Sequence, residues 1–173
     1  MAKQPSNSKP CDTLIHIHIP SQTLTLTHHG QSNTYPISTA KNGVGELENT
    51  GCTPRGQHQI SEKFGANLPI NSVFVARQAT GEIYNSQLAA AFPNRDWILS
   101  RILWLAGCEA GINQGTNEQG VCDTKARYIY IHGTPDSEPM GVPLSHGCIR
   151  MRNHDVIDLF DKVKVGTPVM IEN

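Results

Sequence analysis

The chain has 173 residues, 38% hydrophobic and 17% charged, and 14 Lys and Arg against 15 Asp and Glu leave a net charge of −1. That balance argues against a nucleic-acid partner bound through bulk positive charge, and no run approaches the ~18 apolar residues of a membrane helix. One domain hiding about 70% of its unfolded surface is expected, and 15 Gly with 11 Pro suit a turn-rich, strand-rich fold better than a helical bundle.

Residues 1–12 are polar, contain Pro5 and Pro10, and read as a disordered lead to a domain over 13–173. They show no apolar segment followed by a small-residue cleavage site, so no secretory signal is read. A cytoplasmic location is expected, or a periplasmic one if an export segment has been trimmed. Five cysteines (Cys11, Cys52, Cys108, Cys122 and Cys148), with no C-x-x-C spacing, fit a reducing compartment better than a disulfide framework. Pairing of Cys108 with Cys122 is left open.

The alternation of Ile15, Ile17 and Ile19 with His16 and His18 predicts a half-buried strand. Leu24 and Leu26 repeat the period, and a turn at 28–31 leads to Tyr35-Pro36-Ile37, an opening meander. Residues 38–56 read as a Gly-rich loop. Short strands are expected around 58–60 and 73–76. Ile98, Ile102 and Leu105, with Asn94 or Asp96 as cap and Gly107 as stop, predict a helix over 95–106. A long loop over 107–126 precedes a strand over 127–132, with Ile129 and Ile131 on one face and Tyr128, Tyr130 and His132 on the other. A Pro-rich loop fills 133–144. Asn153 is the expected cap of a helix with Val156, Leu159, Phe160 and Val163 on its buried stripe, and 169–171 closes the chain as a strand.

Chemistry concentrates in Ser145-His146-Gly147-Cys148. A thiol is a strong nucleophile only as thiolate and needs a base or a positive neighbourhood. His132 ends a strand at the mouth of the loop that returns to Cys148, which makes it the candidate base and Cys148 the candidate nucleophile. Gly147 leaves the backbone uncrowded, so the amides of Cys148 and Gly147 are candidates to face an oxyanion. Arg150 could grip a substrate carboxylate bidentately. His16, His18, His28, His29, His58 and His154 read as solvent-facing or turn residues, and Arg127 and Arg152 as surface charges. A zinc site is the competing use of His and Cys. No C-x-x-C or H-x-x-x-H pairing appears, which leaves His16 and His18 on one strand face as the possible ligand pair.

These residues resemble a known family. His132-Gly133-Thr134, a loop carrying Gly141, and Ser145-His146-Gly147-Cys148-Ile149-Arg150 are similar to the signature of the L,D-transpeptidase (YkuD-domain) family. Ser38-Thr39-Ala40-Lys41, Gly43, Gly45, Thr53-Pro54-Arg55-Gly56, the run 127–132 and Gly166-Thr167-Pro168-Val169 extend the likeness over roughly 14–172. The resemblance implies a mainly β (α+β) YkuD-like sandwich with about two helices and the site at one end of a sheet. It implies that Cys148 attacks the L-centre carbonyl of the diamino acid in a peptidoglycan tetrapeptide stem, expels D-Ala and forms a thioester. His132 is then the acid/base, oriented by the Gly133 carbonyl, with His146 and Gly147 at the oxyanion region and Ser145 and Arg150 toward substrate. No metal or organic cofactor is implied, and carbapenems are expected acylating inhibitors. Arg150 stands where many members carry Asn, and the loop from His132 to Ser145 is short.

The reading is an L,D-carboxypeptidase acting on muropeptides during cell-wall recycling, without nucleic-acid or membrane partners. The alternatives are an exported L,D-transpeptidase forming cross-links, and a non-catalytic peptidoglycan- or zinc-binding module.

Overall fold

The computed structural model describes residues 12–173. All of the expected lead except Asp12 lies outside the described residues. The strands are β1 (Thr13–His18), β2 (Thr23–His28), β3 (Gln31–Ser38), β4 (Gly56–Phe64), β5 (Ser72–Val75), β6 (Gln78–Ile83), β7 (Ile98–Gly107), β8 (Thr116–Asn117), β9 (Gly120–Val121), β10 (Tyr130–Gly133), β11 (Ile149–Met151) and β12 (Pro168–Glu172). Two helices occur among the described residues, α1 (Ser86–Ala91) and α2 (Asn153–Lys162).

Eight strands follow one another as β10-β11-β3-β2-β1-β12-β4-β7, and β10 pairs back onto β7. The sheet therefore closes on itself, and strands on opposite sides of the ring face each other across a common core. The fold is mainly β, as expected. Ile15, Ile17, Leu24, Leu26, Ile131 and Ile149 are all at or near zero exposure in that core, and α2 adds Val156, Leu159 and Phe160. β5 and β6 form an arm branching from β7, and β8 with β9 makes a separate small ribbon. Most connections are antiparallel; β10–β11 and β1–β12 are parallel.

The helix expected over 95–106 is instead the long strand β7. Ile98, Ile102 and Leu105 mimic a helical stripe because β7 is a central strand covered on both faces. Leu103 and Leu105 enter the main core, while Ile102 and Trp104 pack with Tyr130 and Phe74 on the opposite side. A strand buried on both faces carries a continuous apolar run, which periodicity cannot tell from a buried helix. The second helix is α1, capped by Asn85, whose side chain accepts from the amides of Gln87 and Leu88. Asn153 is not the cap of α2. Arg152 holds that position without a side-chain cap bond, and Asn153 turns inward.

Candidate active site

The parallel pairing of β10 with β11 aligns Ile131 with Ile149 and His132 with Arg150. Successive side chains on a strand alternate between faces. Ile131, Ile149 and Met151 therefore serve the core, while Tyr130 and His132 share the other face with Cys148 and Arg150. Cys148 and His132 open onto one cavity of about 270 Å³, which Asp96, Tyr128, His146 and Arg150 also line. The strand begins later than expected. Tyr128 has φ 56 and lies in the turn before β10, so its ring is exposed rather than part of the ladder.

Two backbone groups hold the sulfur. The Tyr130 amide donates to Cys148 Sγ at 3.4 Å, and the thiol faces the Tyr128 carbonyl at 3.5 Å. Beneath it lies an apolar bed of Phe74, Ile102 and Tyr130. Burial pushes the Cys148 thiol up to about 11; the Tyr130 amide opposes this, Asp96 adds to it, and Arg150 and Arg127 draw it back. His132 is 2% exposed, and burial lowers its pKa against the opposing hydrogen bond to Gly133. Both groups are thus neutral near neutral pH. His132 Nδ1 lies 2.7 Å from the Gly133 carbonyl. A carbonyl only accepts, so Nδ1 carries the proton and the neutral ring keeps Nε2 as an acceptor.

The nucleophile loop is held from behind. Ser145 N donates to Thr39 O at 2.9 Å and Lys41 N donates to Ser145 O at 3.0 Å. Thr53 Oγ1 donates to Gly147 O at 2.9 Å and accepts from Ala40 N at 3.0 Å. The upstream motifs at 38–41 and 53–56 are therefore scaffolding for the Cys148 loop. Gly147 has φ 133, a conformation that favours glycine.

Two of the expected site residues take hydrogen bonds within this loop. Ser145, assigned toward substrate, donates its hydroxyl to Cys148 O at 2.6 Å and accepts from Gly147 N at 3.2 Å. It braces the turn, and the Gly147 amide faces that hydroxyl.

Arg150 is 8% exposed and already paired, with Asp96 at 3.1 Å and Glu138 at 3.8 Å. Asp96, first read as a helix cap, also lies 3.7 Å from the exposed His146 ring. It is the site residue sequence reasoning missed, because the segment before β7 was assigned to a helix. Arg127 and Arg152 are not free surface charges. Arg127 donates to the carbonyls of Gly45, Glu46 and Cys52, which pins the 45–52 loop beside the site. Arg152 donates to the carbonyls of Asp136 and Glu138. His58 is not solvent-facing: it is 2% exposed, bonded to Gly56 O and Thr124 Oγ1, and its pKa is lowered by burial.

Gly133 is closely packed. A Cβ there would stand 2.5 Å from both the Leu99 carbonyl and Asn153 Oδ1, and the Leu99 backbone cannot yield. Gly133→Ala is therefore expected to destabilise the fold by about 1–3 kcal/mol. Thermal melting reads this as a clear drop; an unchanged melting temperature would show that β7 and β10 part freely here.

Among the described residues no group of three or more His, Cys, Asp or Glu converges as a metal site. His16 is bound instead to Glu172 at 2.7 Å and His18 to Ser21 at 2.7 Å. Cys52, Cys108, Cys122 and Cys148 are free thiols, so Cys108 and Cys122 do not pair. No helix among the described residues is long and apolar enough to cross a membrane.

Known proteins resemble this chain in sequence and in fold. Over 43 residues, 25% of this chain, the sequence is 51% identical to the probable L,D-transpeptidase YbiS of Escherichia coli strain K12, a stretch covering 14% of that protein. An L,D-transpeptidase from Mycobacterium smegmatis superposes with a TM-score of 0.54 at 20% identity, covering 94% of this chain and 59% of that one. The LD transpeptidase LdtMt1, in complex with imipenem, superposes at 0.51 and 20% identity, with 93% and 59% covered. This chain spans less than two thirds of the length of each, and the two superpositions speak for the fold. A match to the L,D-transpeptidase catalytic domain, YkuD, runs over residues 12–171. With a closed β ring that presents Cys148 and His132 in one cavity, the chain belongs to the L,D-transpeptidase (YkuD) family.

Proposed function

We propose that the protein carries out cysteine-dependent acyl transfer on peptidoglycan tetrapeptide stems. One observation carries this reading: Cys148 and His132 open on the same cavity, with the imidazole Nε2 left free to accept a proton. His132 removes the thiol proton as the Cys148 sulfur bonds to the carbonyl carbon at the L-centre of the diamino acid. The oxyanion forms beside the Cys148 amide. Collapse breaks the amide bond, His132 returns the proton to the departing D-Ala nitrogen, and a thioester remains. Water, deprotonated by the same imidazole, then adds to the thioester carbonyl; collapse breaks the C–S bond, the imidazolium returns its proton to the Cys148 sulfur, and the tripeptide leaves with a new carboxyl group. A neutral thiol beside a neutral imidazole supports proton transfer during attack rather than a standing ion pair.

With water as the acceptor in that cavity, of about 270 Å³, the reaction is L,D-carboxypeptidation of muropeptides, the reaction of cytoplasmic wall recycling. A second observation favours an amine acceptor. Clefts of about 150 and 340 Å³ flank the cavity, one sharing Asp96 and Arg150 with it and the other Arg127 and Tyr128. Two approaches to one thioester fit L,D-transpeptidation.

Incubation with a tetrapeptide muropeptide, with and without an amine acceptor, is the test. Free D-Ala and tripeptide in both arms are expected for the carboxypeptidase. Dimers formed only with the amine would assign transpeptidation. No D-Ala release in either arm, with no covalent adduct from imipenem, would overturn the enzyme reading in favour of a binding module. The imipenem complex of LdtMt1 supports the choice of that probe.

A further inference from the structure

We propose that Ser100 and Asn153 are positioning residues that hold the Gly133 carbonyl against His132 and so fix which imidazole nitrogen carries the proton. The inference rests on His132 acting as the base. Adjacent residues His132 and Gly133 pair with Ile102 and Leu99 of β7, so Ser100 and Arg101 bulge out of the ladder opposite the base. Ser100 takes φ 66, a left-handed conformation that glycine adopts freely and serine does not. A serine kept where glycine would sit more easily points to its hydroxyl.

That hydroxyl donates to Asn153 Oδ1 at 2.7 Å and accepts from Asn71 N at 2.9 Å. Asn153 Nδ2 in turn donates to Thr134 O at 2.8 Å. Ser100 and Asn153 are fully buried, and Thr134 is 2% exposed. Thr134 N belongs to the same peptide unit as the Gly133 carbonyl and donates to Met151 O at 3.2 Å. With that plane anchored at its N–H and the next carbonyl tied to Asn153, the Gly133 oxygen is left pointing at His132 Nδ1.

The charged and titratable groups that share the cavity with His132 are Cys148 in the turn before β11, Arg150 from β11, Asp96 from the segment before β7, Arg127 and Tyr128 from the turn before β10, Tyr130 from β10 and His146 from the nucleophile loop, and Asp136 lies 3.4 Å from the Asn153 amide. The Gly133 bond raises the imidazole pKa against burial, because a carbonyl holds an imidazolium better than an imidazole. Loosening the carbonyl therefore moves the acid limb of acylation to lower pH.

The experiment follows the second-order rate of covalent imipenem acylation against pH for the full chain, Ser100→Gly and Asn153→Ala, with melting temperatures alongside. Ser100→Gly relieves the left-handed backbone while removing the hydroxyl, so it is expected to melt within about 5 °C of the parent. Its acylation at neutral pH should fall by about 10-fold or more, with the acid limb displaced downward. Asn153→Ala should displace the limb in the same direction; if it fails to fold, Ser100→Gly decides alone. An unchanged rate and profile in Ser100→Gly, or a slower rate with an unmoved limb, would overturn the positioning role. If the parent chain is not acylated at all, it is the enzyme reading that fails instead.

Discussion

Cys148→Ala is expected to abolish D-Ala release from a tetrapeptide muropeptide, a loss of at least about 10³-fold, because the substitution removes the only atom that forms the thioester. The fold should be nearly untouched. Cys148 is half-buried, and its sulfur rests on Phe74, Ile102 and Tyr130 without filling the main core. Melting curves recorded beside the turnover assay separate the two effects. Cys148→Ser should be almost as inactive, since a hydroxyl held in the same apolar bed is a weaker nucleophile than a thiol. Substantial D-Ala release by either variant would mean that another group is attacked first.

His132→Gln is expected to slow acylation by about 10²–10⁴-fold, the usual contribution of a positioned base. The pH dependence carries the sharper signature. The free imidazole titrates near about 6.5, and burial sets the His132 value below that. The base is therefore already neutral at pH 7, and acylation should stay level on lowering pH until it falls through the depressed value. In His132→Gln that acid limb should vanish. Stability follows the same sign. A group whose folded pKa is depressed contributes stability above its unfolded pKa, and that contribution is lost as pH falls. Acid should therefore weaken the parent fold more than the variant. An acid limb that persists in His132→Gln would assign it to another group lining the cavity.

The site was more legible in the sequence than the fold around it. Cys148 and His132 stand in a compact motif, and period-2 patterning at Ile129 and Ile131 already placed His132 on the opposite face from the core. The meander over 13–38 was equally plain, since Ile15, Ile17, Leu24 and Leu26 alternate with polar residues on a sheet wetted on one side. β7 was not, for it lacks a wet face and so has no alternation to read. Its misassignment hid two further features. Asp96 became a helix cap instead of the partner of Arg150, and Ser100, whose left-handed φ breaks the strand's phase, became an ordinary helical position. The hydrogen bonds of Ser145 and Gly147 were not legible for another reason. Motif spacing shows that residues lie near a nucleophile but not which way a hydroxyl or an amide points, and both are turned onto the loop itself. α1 had a usable signal in Asn85 followed by Leu88 and three alanines, but six residues are too few for a periodic pattern.

Everything in the mechanism requires the Cys148 sulfur to become covalently acylated. Intact-mass spectrometry after incubation with imipenem measures that directly. One adduct per chain on the parent protein, absent from Cys148→Ala, is the predicted result. An adduct of equal yield on Cys148→Ala, or none on the folded parent chain, would contradict it.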